Sequence, residues 1–470
     1  MTFPLLIAST IFLFLTGTCV GSFLNVVIWR LPNYGREVLF QNQRGPLTLN
    51  WPPSHCPVCD APIKWYHNVP VLAWFFLKAK CANCKTHIPV RYPLVELALG
   101  VVFAGYFLAS SVGHWSPFPF IDLREPAQAC AFVLHLIFIA ALLAASAIDI
   151  DLFIIPLSIP WFLIILGLLA TPFINHPVIW QLPLPPSDSW HFARSILGAG
   201  VGLALANLLL ALKILPRSFS EPREEARSQK PEARREEPEA ESSNFECRVS
   251  NVPPLPKLTH FFPSIIASLV LVLLCVFAWF TFSNKAASLI TVCSGIFIFL
   301  IGVLPRDPDQ TDVTDEVVEE IAHPQVRRET LKELLFLAVP LVCAFIACFI
   351  PINIPPSPCM ARFLGCLLGI LIGGGVVWFI RVLGSLAFNK EAMGMGDAHL
   401  MAGVGAIVGP WLVVFAFFGA AFLGLAWAIV LLFQKKPHVL PFGPWLSIAS
   451  ILALLVGHSL IAAYVALFIP

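Results

Sequence analysis

Long, uninterrupted apolar runs separated by short polar connectors fill most of the chain. Runs of roughly 17–25 residues cross a bilayer as a helix. They fall near 4–29, 92–113, 127–148, 152–174, 193–215, 262–283, 286–304, 333–352, 361–386, 399–410, 411–433 and 443–467. The run at 399–410 is too short alone, so 399–433 forms either one long helix or two. This pattern predicts an all-α polytopic membrane protein with about 12 transmembrane helices and a polar loop domain after the first.

Composition agrees. Of 470 residues, 58% are hydrophobic and only 12% charged, where a soluble domain is nearer a quarter charged. Mean hydropathy is +0.81. The net charge of +1 and the lack of a long basic tract give no reason to expect a nucleic-acid partner. No Lys or Arg precedes Arg30, so the first run reads as a retained anchor rather than a cleavable signal peptide.

Lys and Arg placement predicts the sidedness. The 30–91 loop holds Arg30, Arg36, Arg44, Lys64, Lys78, Lys80, Lys85 and Arg91, which makes it cytoplasmic and puts the N-terminus outside. Counting onward, 149–151, 216–258, 305–332, 387–398 and 434–442 are cytoplasmic, while 114–126, 175–192 and 353–360 are Pro-rich and outside. The Arg/Glu/Pro/Ser stretch at 216–258 reads as a solvated loop. The expected organisation is a first helix (1–29), a cysteine loop domain (30–91), a first membrane core part (92–215), an insertion (216–360) and a second core part (361–470).

Cys56-Pro-Val-Cys59 and Cys81-Ala-Asn-Cys84 form two Cys-x-x-Cys pairs with twenty-one residues between them. Such turns aim both thiolates at one tetrahedral ion, and two of them close a four-cysteine zinc site with no position left for water. The metal is therefore expected to be structural, stapling a polar loop too small to fold on its own core. The cysteines scattered through apolar runs read as small core residues, and His55 and His67 are not expected as ligands.

Two acidic stretches carry the candidate chemistry. Asp397 lies in Glu391-Ala-Met-Gly-Met-Gly-Asp-Ala-His-Leu400, where two glycines clear the approach to the carboxylate. Asp149 and Asp151 close an apolar run in Ala147-Ile-Asp-Ile-Asp-Leu-Phe-Ile-Ile-Pro156. On a helix they point roughly 200° apart, and Asp149 is the expected partner of Asp397, with Asp151 orienting its neighbour or reaching headgroup water. Ionisable groups at a membrane boundary mark function. The blander alternatives are an N-cap role for Asp397 and a merely solvated helix end for Asp149. Two carboxyls over one water, sharing a single proton, would make an aspartic protease: one takes a proton from the attacking water, the other polarises the scissile carbonyl and helps protonate the amine.

These residues resemble type IV prepilin peptidases, the bacterial leader peptidases of the Gly-x-Gly-Asp aspartic class. The resemblance is carried by Gly21-Ser-Phe-Leu-Asn-Val-Val-Ile-Trp-Arg-Leu-Pro32, both cysteine pairs, Asn68-Val-Pro70, Arg91-Tyr-Pro-Leu-Val-Glu96, Asp149 to Pro156, Gly394-Met-Gly-Asp397 and Pro441-Phe-Gly-Pro444. It implies that Asp149 and Asp397 are catalytic and that Cys56, Cys59, Cys81 and Cys84 bind Zn2+. It further implies cleavage of a basic leader from prepilins or type II secretion pseudopilins at the cytoplasmic face of the bacterial inner membrane. N-methylation of the new N-terminus with S-adenosylmethionine, carried by the N-terminal part, is also implied, with membrane lipid as the surrounding partner. The residues that would hold S-adenosylmethionine are not identified. Departures are the 216–360 insertion into a core of eight helices, His399 where the family usually has Lys, and Leu157 where Asp is common. A different class stays open: a non-catalytic scaffold or an ion or proton transporter with a structural zinc loop.

Overall fold

A computed structural model describes residues 3–35, 37–40, 43–111, 125–174, 189–216, 218, 326–350, 358–388, 391–434 and 441–468. Ten α-helices, a short hairpin and a 3-10 turn are defined among them. Seven of the described helices are long and apolar enough to cross a membrane. Their outward faces carry exposed Phe12, Phe345, Phe379 and Phe422, as suits a surface that meets lipid rather than water. The chain is a multi-pass membrane protein.

Helix α1 (Phe3–Arg30) leads into a hairpin of β1 (Glu37–Phe40) and β2 (Gln43–Pro46), antiparallel with Glu37 opposite Pro46. The cysteine loop follows, with a 3-10 turn at Trp65–His67 and the short α2 (Leu72–Phe76). Then come α3 (Arg91–Ser111), α4 (Pro126–Leu152), α5 (Ser158–Ala170) and α6 (Ser189–Ala211). After the undescribed stretch come α7 (Val326–Cys348), α8 (Pro358–Phe388), α9 (Met395–Gln434) and α10 (Gly443–Phe468). The runs expected at 262–283 and 286–304 lie outside the described residues.

One difference from the run count and one reading it leaves open have local causes. The 152–174 run gives only the thirteen-residue α5, because α4 keeps its hydrogen bonding to Leu152 and Pro156 blocks an early restart. The 399–433 stretch is two helical segments within α9 that meet at Gly409 (φ 83°, ψ 176°) just before Pro410, which settles it as two. Glycine alone takes that backbone conformation without strain.

The bundle has one main core. Helices α4, α5, α9 and α10 surround it, with α8 packed along α9 and the α1–α3 pair joined on through α4. Helices α6 and α7 pack together and lean on α8. The tightest crossing is between α8 and α9, where a Cβ on Gly405 would fall 2.0 Å from the Gly369 carbonyl oxygen. Backbones meet directly there, the usual way for membrane helices to gain packing without a hydrophobic driving force.

The motif residues of α1 and α3 tie the loop to the membrane helices. The buried Arg30 guanidinium donates to the Thr48 and Leu49 carbonyls at 3.0 and 3.1 Å. Glu96 accepts the Val71 N–H at 2.6 Å, and the Asn25 amide donates to the Tyr92 carbonyl at 3.1 Å.

Candidate active site and metal centre

The cysteine loop folds as the same turn used twice. In each, the first cysteine's N–H bonds a carbonyl five residues on (Ala61, Thr86), and its carbonyl accepts the N–H four residues on (Asp60, Lys85). Asp60 (φ 53°) and Lys85 (φ 60°) both take left-handed backbone to close the knuckle. Flanking bridges repeat too, His55 with Pro62 and Lys80 with His87. The four Sγ atoms of Cys56, Cys59, Cys81 and Cys84 all lie within 4.8 Å of one another, and Cys56 and Cys84 are 3.7 Å apart. A tetrahedral ion with metal–sulfur bonds of about 2.3 Å needs sulfurs about 3.8 Å apart, so the set fits a metal ion. The donors around Cys59 and Cys81 suit thiolates, while at Cys84 the Thr86 N–H is outweighed by burial and the other three sulfurs, which push that thiol up to about 11. The Ala61 N–H, with the Asn83 amide, lowers the Cys59 thiol to about 6.

Asp397 sits in the first turn of α9, half-buried, two residues past the helix start at Met395. The helix therefore begins ahead of it, and Asp397 is not its N-cap. Its carboxyl instead reaches back toward Gly394, with Oδ2 3.5 Å from where a Cβ there would stand, the direction an acidic residue at the third helical position takes in a capping box. The positive end of the helix dipole favours the carboxylate there.

Asp149 lies at the other kind of helix end. It is 6% exposed in the last turn of α4, where the dipole opposes a negative charge. The compensation comes from 294 residues away: the Gly443 N–H, the first of α10, donates to Asp149 Oδ2 at 2.9 Å. A Cβ on Gly443 would stand 2.7 Å from that oxygen. The segment after α4 turns back so that Ile155 packs on Gly396, 3.2 Å from where a Cβ would be. Helices α4 and α9 touch, and Asp149 lies near enough for its charge to act on Asp397.

Comparison with known proteins gives two family matches. Residues 15–110 match the bacterial peptidase A24 N-terminal domain, and residues 330–429 match the type IV leader peptidase family. Two separate stretches of the chain are thus similar to type IV leader peptidases. A prepilin leader peptidase/N-methyltransferase of Klebsiella pneumoniae is 47% identical over 103 residues, 22% of this chain and 42% of the relative. One from Myxococcus xanthus is 38% identical over 148 residues, 32% of this chain and 36% of the relative. A type 4 prepilin-like proteins leader peptide-processing enzyme of Escherichia coli is 39% identical over 141 residues, 29% and 46%. The chain thus spans less than half the length of these relatives. No solved structure matches it.

Relative to the leader-peptidase motifs, Asp151 and His399 take separate places. Asp151 points away from Asp149 and pairs with Arg91 of the Arg91–Glu96 motif, which also donates to the Ala147 carbonyl at 3.3 Å. His399 is engaged with its own helix: Nδ1 lies 2.8 Å from the Met395 carbonyl, which makes Nδ1 the donor, and the ring lies 6.2 Å from that of Trp161. Residues beside the aspartates carry no role in the sequence pattern: Gly443 belongs to Pro441–Pro444 and Glu391 opens the Asp397 stretch. Arg381, an arginine within an apolar run, is the signal that points to this neighbourhood. Arg381 forms ion pairs with Glu333 and Glu391 beside Asp397, and the second family match begins at residue 330, ahead of all three.

Proposed function

We propose that the chain is a membrane aspartic endopeptidase that removes the basic leader from prepilins or type II secretion pseudopilins. The nearness of Asp149 to Asp397 supports this reading: two carboxyls from distant stretches at the ends of helices that touch, one held by the Gly443 N–H and the other reaching back to Gly394. A scaffold would have no use for that expensive arrangement. In the proposed reaction one proton is shared by the pair. The ionised member takes a proton from a water that attacks the scissile carbonyl, and the protonated member donates to the carbonyl oxygen and later helps protonate the leaving amine. The Gly443 donor holds the Asp149 carboxyl in place, since it fixes one oxygen and leaves the other to the water.

The four cysteines hold Zn2+, which serves as a staple for the loop rather than as a reactant. Arg30, Asn25 and Glu96 then fix that loop against α1 and α3. Methylation of the new N-terminus with S-adenosylmethionine belongs to the same proposal, resting on the relatives' names and on the match at 15–110. The working face is the cytoplasmic side of the bacterial inner membrane, in keeping with the Lys and Arg of the 30–91 loop. The test is incubation of the full chain in lipid with a candidate prepilin, followed by mass measurement of the product N-terminus. A mass lower by the leader is expected, with a further methyl increment when S-adenosylmethionine is supplied. An uncut substrate from every pilin-like candidate would defeat the reading.

A further inference from the structure

One peptide group lies between Arg381 and Asp397. The Met393 carbonyl accepts a hydrogen bond from the Arg381 guanidinium. Gly394, which carries the N–H of the same peptide, lies beside the Asp397 carboxyl, whose Oδ2 stands 3.5 Å from where a Gly394 Cβ would be. In a trans peptide the two groups point in opposite directions, so whatever fixes the carbonyl also aims the N–H. The need for a grip is local. Glycine at 394 lets this peptide rotate at little cost, and a rotated peptide would turn its carbonyl toward the carboxylate.

Arg381 is 2% exposed within the apolar α8. A charge there is tolerated only when paired. It forms an ion pair with Glu391, and its Nε lies 3.2 Å from Glu333 Oε1. Glu333 is itself 2% exposed on α7, and its second oxygen accepts the Trp378 indole N–H at 2.8 Å. The chain of contacts runs from α7 through Arg381 and one peptide plane to Asp397, and charge-assisted bonds in such a series strengthen one another.

We propose that Glu333 and Arg381 are positioning residues that aim the Gly394 N–H at Asp397, so that α7 supports the active site. The proposal rests on the aspartic-peptidase reading of Asp397. Its test uses the full chain in lipid nanodiscs with two readouts, hydrogen exchange over residues 391–397 and steady-state cleavage of a prepilin. Arg381→Gln is expected to speed exchange in that segment about tenfold while α9 beyond Leu400 stays protected. It should lower kcat about tenfold with KM within about twofold, the scale of one lost hydrogen bond to a charged group. Arg381→Lys, which keeps a cationic donor, recovers part of kcat. Glu333→Gln gives a smaller loss of about threefold in the same sense.

Exchange unchanged in both Arg381→Gln and Glu333→Gln, or a rise in KM at constant kcat, would overturn the proposal. Should Arg381→Gln not accumulate in the membrane, Glu333→Gln alone decides, and wild-type exchange and kcat there count against it. If wild type leaves the substrate uncut, or Asp397→Asn cuts like wild type, the peptidase reading fails instead. The exchange experiment still judges the clamp in that case.

Discussion

Asp149 and Asp397 face the same physical problem from opposite helix ends. Asp397 stands where the α9 dipole favours its charge and reaches back to its own helix start, three residues away. Asp149 stands where the α4 dipole opposes its charge and is served by the first N–H of α10. The carboxylate with local support needs only its own segment and a clamp on one peptide. The other depends on tertiary packing, with Gly443 leaving the room for it. Damage to the bundle should therefore fall first on Asp149.

The largest expected effect tests whether the two are a pair at all. Asp149→Asn and Asp397→Asn should each abolish leader cleavage, by about a thousandfold or more, as residues acting as a unit do. Helix content and bound metal should stay unchanged by circular dichroism and metal analysis. Cleavage surviving in either variant would break the comparison and favour a scaffold or transporter.

The next sharpens the asymmetry. Gly443→Ala should lower kcat by about a hundredfold, because the new methyl would stand 2.7 Å from the Asp149 oxygen and push the carboxyl off the backbone N–H that holds it. Gly405→Ala, at the α8–α9 crossing, should cost stability in the membrane by about 1–3 kcal/mol, read as an earlier thermal unfolding midpoint.

The metal loop supplies a third contrast, since it lies apart from both carboxyls. Chelation should release one ion per chain and lower the midpoint for loop unfolding. Acidification should do the same, with a defined sign. The loop's ligands must be deprotonated to hold the ion, so binding is complete at neutral pH and lost as pH falls. Cys59, lowered to about 6, keeps its thiolate to a lower pH than an ordinary cysteine. Metal content followed by spectrophotometric titration between pH 8 and about 4 checks this. Smallest of all is Arg91→Gln, which removes a half-exposed ion pair with Asp151 and should change stability by no more than about 1 kcal/mol.

How far the site could be read from the sequence follows from how local each part is. The cysteine pairs are visible because both ligands of each knuckle sit within four residues, and the turn that joins them is encoded on the spot. Asp397 is visible for the same reason, with its glycines beside it. The helical character of most runs needs only uninterrupted apolarity. The break at Gly409 and the shortness of α5 depend instead on where α4 stops and where backbones cross. Gly443 as the donor to Asp149 could not be inferred, since no pattern in Pro441–Pro444 names a residue 294 positions away. The Glu333–Arg381 pair joins α7, read as part of the insertion, to the helix leading into Asp397, and a charge in an apolar run does not say which helix answers it.

The hydrogen bond between Gly443 and Asp149 also sets an order of events during synthesis. The α4 carboxylate is made early in synthesis, and its donor only 294 residues later, at the start of α10. Until then the nascent chain holds one well-seated acid and one unseated one. On the proposed reading, competence to cut waits on α10, and a product truncated before Gly443 would lack the donor to Asp149.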